Sequence, residues 1–268
     1  MRELELANGK KVIEPKSKTI FYVLGIICLI IISMLITDSF SGFSKMIENA
    51  DKGISFFEKF FNFTKYDITY LDKIYEPLLN TISMSILGSV LGMLVSLPVA
   101  LFCSSNLNKT PFLWIVRTLL NILRTIPVII LALVFAYIYV DGAFAGFISI
   151  FIFTFSISVK TLYEYIETIN MDTYNAMIAN GMSKFSAIRY TILPELKVYF
   201  ISTGLYNFEV NIRNASILGY VGAGGIGILL NNALNMKDYE EAGLTFMCLL
   251  IFVLLIEIIS KQIRKRLG

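Results

Sequence analysis

The chain alternates long apolar stretches with shorter polar ones. Ile20–Ile36 runs 17 residues without a charged side chain, and Pro77–Asn108 runs 32. Thr125–Val140 and Gly142–Val159 are also free of charge. A surface helix of a soluble protein keeps a charged face, and these stretches have none. A membrane-spanning helix needs roughly 20 mostly apolar residues. The pattern therefore predicts an all-α membrane protein with about six transmembrane helices. They are placed at 20–37, 77–104, 112–139, 143–163, 198–220 and 243–260. Pro98, Pro127 and the glycines inside these spans are compatible with them, because neighbouring helices can satisfy the freed backbone groups.

Composition agrees. Of 268 residues, 56% are hydrophobic and 16% charged, against roughly 45–50% and 25% in ordinary globular chains. The chain has no histidine, which excludes histidine general bases, histidine-containing triads and histidine metal ligands. Cys28, Cys103 and Cys248 are isolated within apolar segments, so no disulfide framework or CxxC site is expected. No basic run with interleaved aromatics marks a nucleic-acid surface. Ile20–Ile36 lacks an A-x-A cleavage site and reads as a retained anchor.

Charge sets the direction of the spans. With both ends in the cytoplasm, the inside segments 1–19, 105–117, 160–197 and 261–268 hold 15 Lys/Arg and 7 Asp/Glu. The outside segments 38–76, 140–142 and 221–242 hold 6 Lys/Arg and 11 Asp/Glu. That is +8 inside and −5 outside, a bias the inverted topology would reverse. The outside segment 38–76 contains Phe43–Phe63, where Phe43, Met46, Ile47, Ile54, Phe56, Phe57, Phe60 and Phe61 stand among lysines and acids. It is expected to be an amphipathic helix at the membrane surface.

The cytoplasmic loop 160–197 is long enough to have structure and function of its own. Asp172 is placed to cap a short helix, Gly181 to end it and Ser183 to cap the next. Tyr174, Met177 and Ile178 fall on one face of the first helix. Pro194 is expected to begin the re-entry into the membrane. Two short helices at an angle would thus expose an apolar ridge to the cytoplasm, which is a docking surface.

These residues carry a resemblance. The loop resembles the coupling motif of binding-protein-dependent ABC importer permeases, EAA-x3-G-x9-I-x-L-P. Ala176, Gly181, Leu193 and Pro194 match at the required spacing, while Asn175, Met177 and Thr191 replace Glu, Ala and Ile. Glu76–Ser83, Leu120–Pro127 and Phe208–Gly227 follow in the right order and are similar to the phosphonate-import permeases. Two departures are Val128, where Glu is expected, and Thr154–Leu162, which lacks a polar, His-containing pattern.

The resemblance covers about Lys65–Leu267 and implies a type I ABC importer permease fold. The core is then 77–260, with helix 20–37 peripheral to it. It implies a plasma-membrane permease subunit that moves phosphonate, or a related phosphorus-containing anion, by alternating access. Phosphite and thiamine pyrophosphate are alternative cargoes, and an ATP-independent secondary transporter is the alternative mechanism. The implied partners are a second copy of the chain, an ABC ATPase dimer, an extracytoplasmic substrate-binding protein and membrane lipid. No cofactor is expected on this chain. It has no G-x4-G-K-[ST] loop, so ATP and Mg would sit on the ATPase. Tyr174, Ala176, Met177, Ile178, Gly181, Leu193 and Pro194 are the expected ATPase-coupling residues.

Arg124, Glu209 and Arg213 lie within spans, where a charge costs roughly 2.5–3.5 kcal/mol and needs a reason. Glu209 and Arg213 can pair as i,i+4 neighbours. With Asn211 and Asn214, and with Asn207 close by, these residues are candidates for lining a translocation path. Gly222-Ala-Gly224-Gly225-Ile-Gly227 formally matches G-x-G-x-x-G, but it follows a membrane helix rather than a strand. It is read as a gate or tight turn at the outer mouth.

Overall fold

A computed structural model describes residues 3–5, 11–13, 19–36, 45, 47–62, 66–139 and 142–267. The chain divides into two units, Met1–Glu58 and Lys59–Gly268. In the first unit, β1 (Glu3–Glu5) pairs antiparallel with β2 (Lys11–Ile13), a small ladder inside the expected N-terminal tail. Helix α1 (Thr19–Ile36) follows, and its side chains from Phe21 to Ser33 are all exposed, as a lipid-facing helix requires. Helix α2 (Ala50–Phe60) is amphipathic, with Ile54 and Phe57 exposed on its apolar side. Phe43 and Met46 of the expected surface helix lie outside the described residues.

The regular elements among the described residues of the second unit are all helices. Its central pair is α3 (Leu71–Cys103) and α6 (Gly142–Thr168), which share the most extensive packing in the chain. Thr69 donates its hydroxyl and backbone N–H to Asp67 just before α3, and these bonds hold the Asp67 carboxyl below its ordinary pKa. Along α3, Thr81, Ser85, Gly88, Ser89, Gly92 and Ser96 are buried. Small residues let membrane helices approach closely where no hydrophobic force drives them together. The approach here is close: a Cβ on Gly88 would lie 2.6 Å from Ile150 Cγ2, and one on Gly92 2.9 Å from Thr154 Cβ. Contacts advance along both helices together, so α3 and α6 run parallel.

Between them the chain returns as α4 (Phe112–Thr125) and α5 (Val128–Ile138). The expected single span 112–139 is broken here by an 85° bend. The reason is Pro127. Ile126 sits at φ −77°, ψ 118°, the extended region to which a following proline confines its predecessor. A neighbouring helix can satisfy freed backbone groups, but it does not remove that steric limit.

After α6 come α7 (Asp172–Ala179) and α8 (Lys184–Leu218). Helix α8 is 35 residues long and continues unbroken past Pro194, so no new helix begins there. A 3-10 turn over Gly219–Val221 and a glycine segment lead, across a 49° bend, to α9 (Ile226–Met236). Helix α10 (Tyr239–Leu267) returns. Three single helices and two bent pairs are long and apolar enough to make five crossings among the described residues. The sixth expected span is α1, whose described apolar stretch, Phe21–Ser33, is shorter.

The glycine segment is packed rather than open. Ala223 is fully buried, and the Ile226 N–H donates to Thr81 Oγ1 at 2.8 Å. Gly224 has φ +80°, and a Cβ there would meet Ala143 Cα at 2.7 Å. A left-handed backbone costs an L-residue roughly 1–2 kcal/mol before any clash is counted. Gly224→Ala should therefore lower the melting temperature of the purified chain by several degrees. Gly53→Ala, which meets nothing within 4 Å, should leave it unchanged. Equal melting temperatures for the two variants would contradict this packing.

Candidate functional site

The loop between α6 and α8 is built by local hydrogen bonding. Asp172 is the first residue of α7 rather than its cap; the cap position is Met171, and the Asp172 N–H is satisfied from outside the helix by Asn170 Oδ1 at 2.8 Å. At the other end the Gly181 N–H reaches Ile178 O at 2.9 Å and the Met182 N–H reaches Met177 O at 3.1 Å. This double bond with glycine at φ +84° is the Schellman ending. Ser183 then caps α8 by accepting from the Ser186 N–H at 3.3 Å. Three short sequence signals thus fix a rigid helix–turn–helix.

Its apolar side points the other way from the expectation. Tyr174 is buried against Ile166, Ile169, Ala187 and Ile192, with Met177, Ile178 and Leu193 partly buried on the same cluster. A two-turn helix has little stability of its own, so it must bury its one apolar face in the bundle. Ala176, Gly181 and Pro194 are exposed. The apolar side chains facing outward are instead Met182, Phe185 and Tyr190, Phe185 being 74% exposed. They stand beside the exposed Lys184 and Arg189.

Behind the loop lies a polar clamp that sequence reasoning missed. Arg117, on α4, pairs with Glu167 near the end of α6 and donates through Nε to Cys103 O at 2.8 Å. Its guanidinium lies 4.4 Å from the Tyr163 ring centre. Glu167 Oε1 also accepts from the Ser105 N–H at 2.8 Å and its hydroxyl at 2.7 Å. Tyr165 of α6 stacks on Tyr199 of α8 with ring centres 4.0 Å apart. Charges 50 positions apart leave no periodic trace, so only tertiary structure reveals the pair.

The polar residues of α8 fall into two groups. Asn207 donates to Ser158 Oγ at 2.8 Å, while Asn211 donates to Ser89 Oγ at 2.8 Å and Thr154 Oγ1 at 2.7 Å. These amides cross-link α8 to α3 and α6. Glu209 and Arg213 point away from them, because residues two apart on a helix are about 200° apart. The asparagines and the charged pair therefore do not line one surface, as the sequence had led us to expect. Glu209 is buried, yet it accepts from Arg213 at 3.2 Å and from Arg264 of α10 at 2.9 Å. Arg264 belongs to the segment expected to be only a basic tail. Arg124 is exposed in the last turn of α4, and Asn214 is half-buried.

Residues 88–268 match the family described as the inner membrane component of binding-protein-dependent transport systems. The chain belongs to this family. The phosphite transport system permease PtxC of Stutzerimonas stutzeri is 30% identical over 191 residues, 71% of this chain and 70% of that protein. The phosphate-import permease PhnE of Mycolicibacterium smegmatis is 29% identical over 188 residues, 70% of this chain and 35% of that protein. An inward-facing structure of the methionine ABC transporter MetNI superposes with a TM-score of 0.66 at 18% identity, covering 75% of this chain and 99% of that one. The fold is that of the type I ABC importer permeases. The chain is a membrane transport subunit, and helices α3 to α10 hold the whole family match.

The clamp gives a direct test within this permease. Arg117→Ala removes the ion pair, the Cys103 bond and the contact with Tyr163, while Glu167→Gln keeps the Ser105 bonds. A charged hydrogen bond is worth about 1.5–3 kcal/mol. Arg117→Ala should lower the thermal stability of the purified permease clearly more than Glu167→Gln. Wild-type melting of the Arg117→Ala protein would remove the clamp's structural role.

Proposed function

We propose that this chain is the permease subunit of an ATP-driven importer of phosphonate or a related phosphorus-containing anion, working by alternating access. The family membership supports the importer role, and two relatives named for phosphite and phosphate transport support the cargo class. Phosphonate, phosphite and phosphate share tetrahedral phosphorus with charged oxygens. The observation that carries the mechanism is the capped helix–turn–helix at Asn170–Ser186, with Phe185 exposed at its tip.

In this reading a separate ABC ATPase binds ATP and Mg and grips the loop. The contact is made by Met182, Phe185 and Tyr190, with Lys184 and Arg189 at its edge. Tyr174, Met177, Ile178 and Leu193 have a different task. They join the loop to the bundle, so a push on the tip moves α6 and α8 with it. ATP closure rocks the helices between inward and outward openings. Two copies of the chain enclose the pathway, with both termini in the cytoplasm. A substrate-binding protein delivers cargo to the opposite face, where the packed glycine turn lies.

Exposed and buried loop residues should fail differently. Phe185→Asp should leave the permease folded but lose the ATPase on co-purification. Tyr174→Ala empties part of the core cluster, and core truncations of that size cost about 3–5 kcal/mol. It should lower the permease's own melting temperature. Retention of the ATPase by Phe185→Asp would displace the docking site. Transport by the purified chain without ATP would overturn the importer reading.

A further inference from the structure

Helices α8 and α10 meet on one carboxylate. Glu209 is 7% exposed, and its two oxygens serve two different helices. Oε1 accepts from Arg213 and Oε2 from Arg264. The arginine side chains stay 49% and 28% exposed. The cluster therefore carries a net single positive charge. Each guanidinium has five N–H donors, and only the Nη2 group of each is turned to Glu209.

The depth of the cluster makes this unusual. Asn207 and Asn211 flank Glu209 along α8, and they bond to Ser158, Ser89 and Thr154. Ser89 and Thr154 lie well inside the uncharged stretches 77–108 and 142–159. A pin between two helices needs one arginine for one carboxylate. A second arginine adds an uncompensated charge where desolvation is expensive. Among the described residues neither arginine has another ion-pair partner.

We propose that Glu209, Arg213 and Arg264 form a transit site for a tetrahedral oxyanion. The carboxylate holds the two guanidiniums as a fork, and the oxygens of the passing anion take their unused N–H groups. Arginine suits this task because its planar donors match such oxygens two at a time. Glu209 is a positioning residue here. Its negative charge also weakens anion binding, which a carrier needs if it is to release its cargo. The proposal rests on the phosphorus-anion reading above and names the site that reading lacks. It also makes the basic segment 261–268 part of the path.

The test uses the complete complex of permease, ATPase and binding protein in proteoliposomes, with labelled phosphite, methylphosphonate and phosphate. The wild-type complex should take up at least one of the three. If it takes up none, the cargo reading falls. The double variant Arg213→Gln with Arg264→Gln should lose at least about tenfold in uptake rate while keeping its ATPase bound. Uptake at the wild-type rate would overturn the site and leave the cargo reading standing. Arg213→Lys and Arg264→Lys keep the charge but lose the fork, so each should show a several-fold loss. If the glutamine variants fail to assemble, wild-type uptake in both lysine variants overturns the site.

A phospholipid headgroup carries the same chemistry, so a second arm separates the sources. Thermal melting of the detergent-solubilised complex is followed with added phosphate or methylphosphonate, and separately with phosphatidylglycerol. Stabilisation by the free anions that disappears in the lysine and glutamine variants supports the transit site. Stabilisation by phosphatidylglycerol alone overturns it.

Discussion

The close parallel seam between α3 and α6 is the contact from which the rest of the second unit is arranged. Water is absent from a bilayer core, so helices gain little there by hiding apolar surface from each other. They must instead fit. Gly88 and Gly92 let α6 approach until Ile150 and Thr154 fill the space that side chains would occupy. The same faces carry Ser89, Thr154 and Ser158, whose hydroxyls receive the amides of Asn211 and Asn207. The seam therefore sets where α8 can lie. At one end Thr81 receives the Ile226 N–H and fixes the start of α9. At the other end Glu167 takes Arg117 and Ser105.

At that second end a short surface loop is tied firmly to the bundle. Helix α7 is too short to be stable alone, but Tyr174 is sunk into the cluster that includes Ile166, Ile169 and Ala187. The Schellman turn at Gly181 and the Ser183 cap leave the backbone little freedom between α7 and α8. The turn that leads to Phe185 is thus held by packed side chains and helix-end hydrogen bonds. The Arg117–Glu167 pair extends the connection to α4, and α4 leads to the bend at Pro127.

Much of this was legible from the chain itself. Apolar stretches without charge located the helices, and the Gly181, Ser183 and Pro194 pattern located the loop and its family. What stayed hidden depends on direction and distance. Periodicity placed Tyr174, Met177 and Ile178 on one face, but it could not say whether that face looked inward. Hydropathy tolerated Pro127 and missed the 85° bend, because hydropathy carries no φ or ψ. The asparagines of α8 were grouped with Glu209 by nearness in sequence, although helical geometry places them on the other side. Arg264 was read by its charge as a topology signal, and nothing in the sequence linked it to a carboxylate 55 positions earlier.

The two polar faces of α8 imply a division of labour within one helix. The amides toward α3 and α6 are neutral, buried and hydrogen-bonded through Nδ2, so they can bind the helix in place at modest desolvation cost. The opposite face holds Glu209 and Arg213 and meets Arg264 of α10, both arginines being partly exposed. A helix cross-linked on one side and charged on the other is firm where it meets the scaffold and polar where it meets α10. The same helix thus carries the second half of the loop at its start and a polar surface toward α10 further along. Placing the charges on the side away from the seam lets that surface change without breaking the packing that holds the fold.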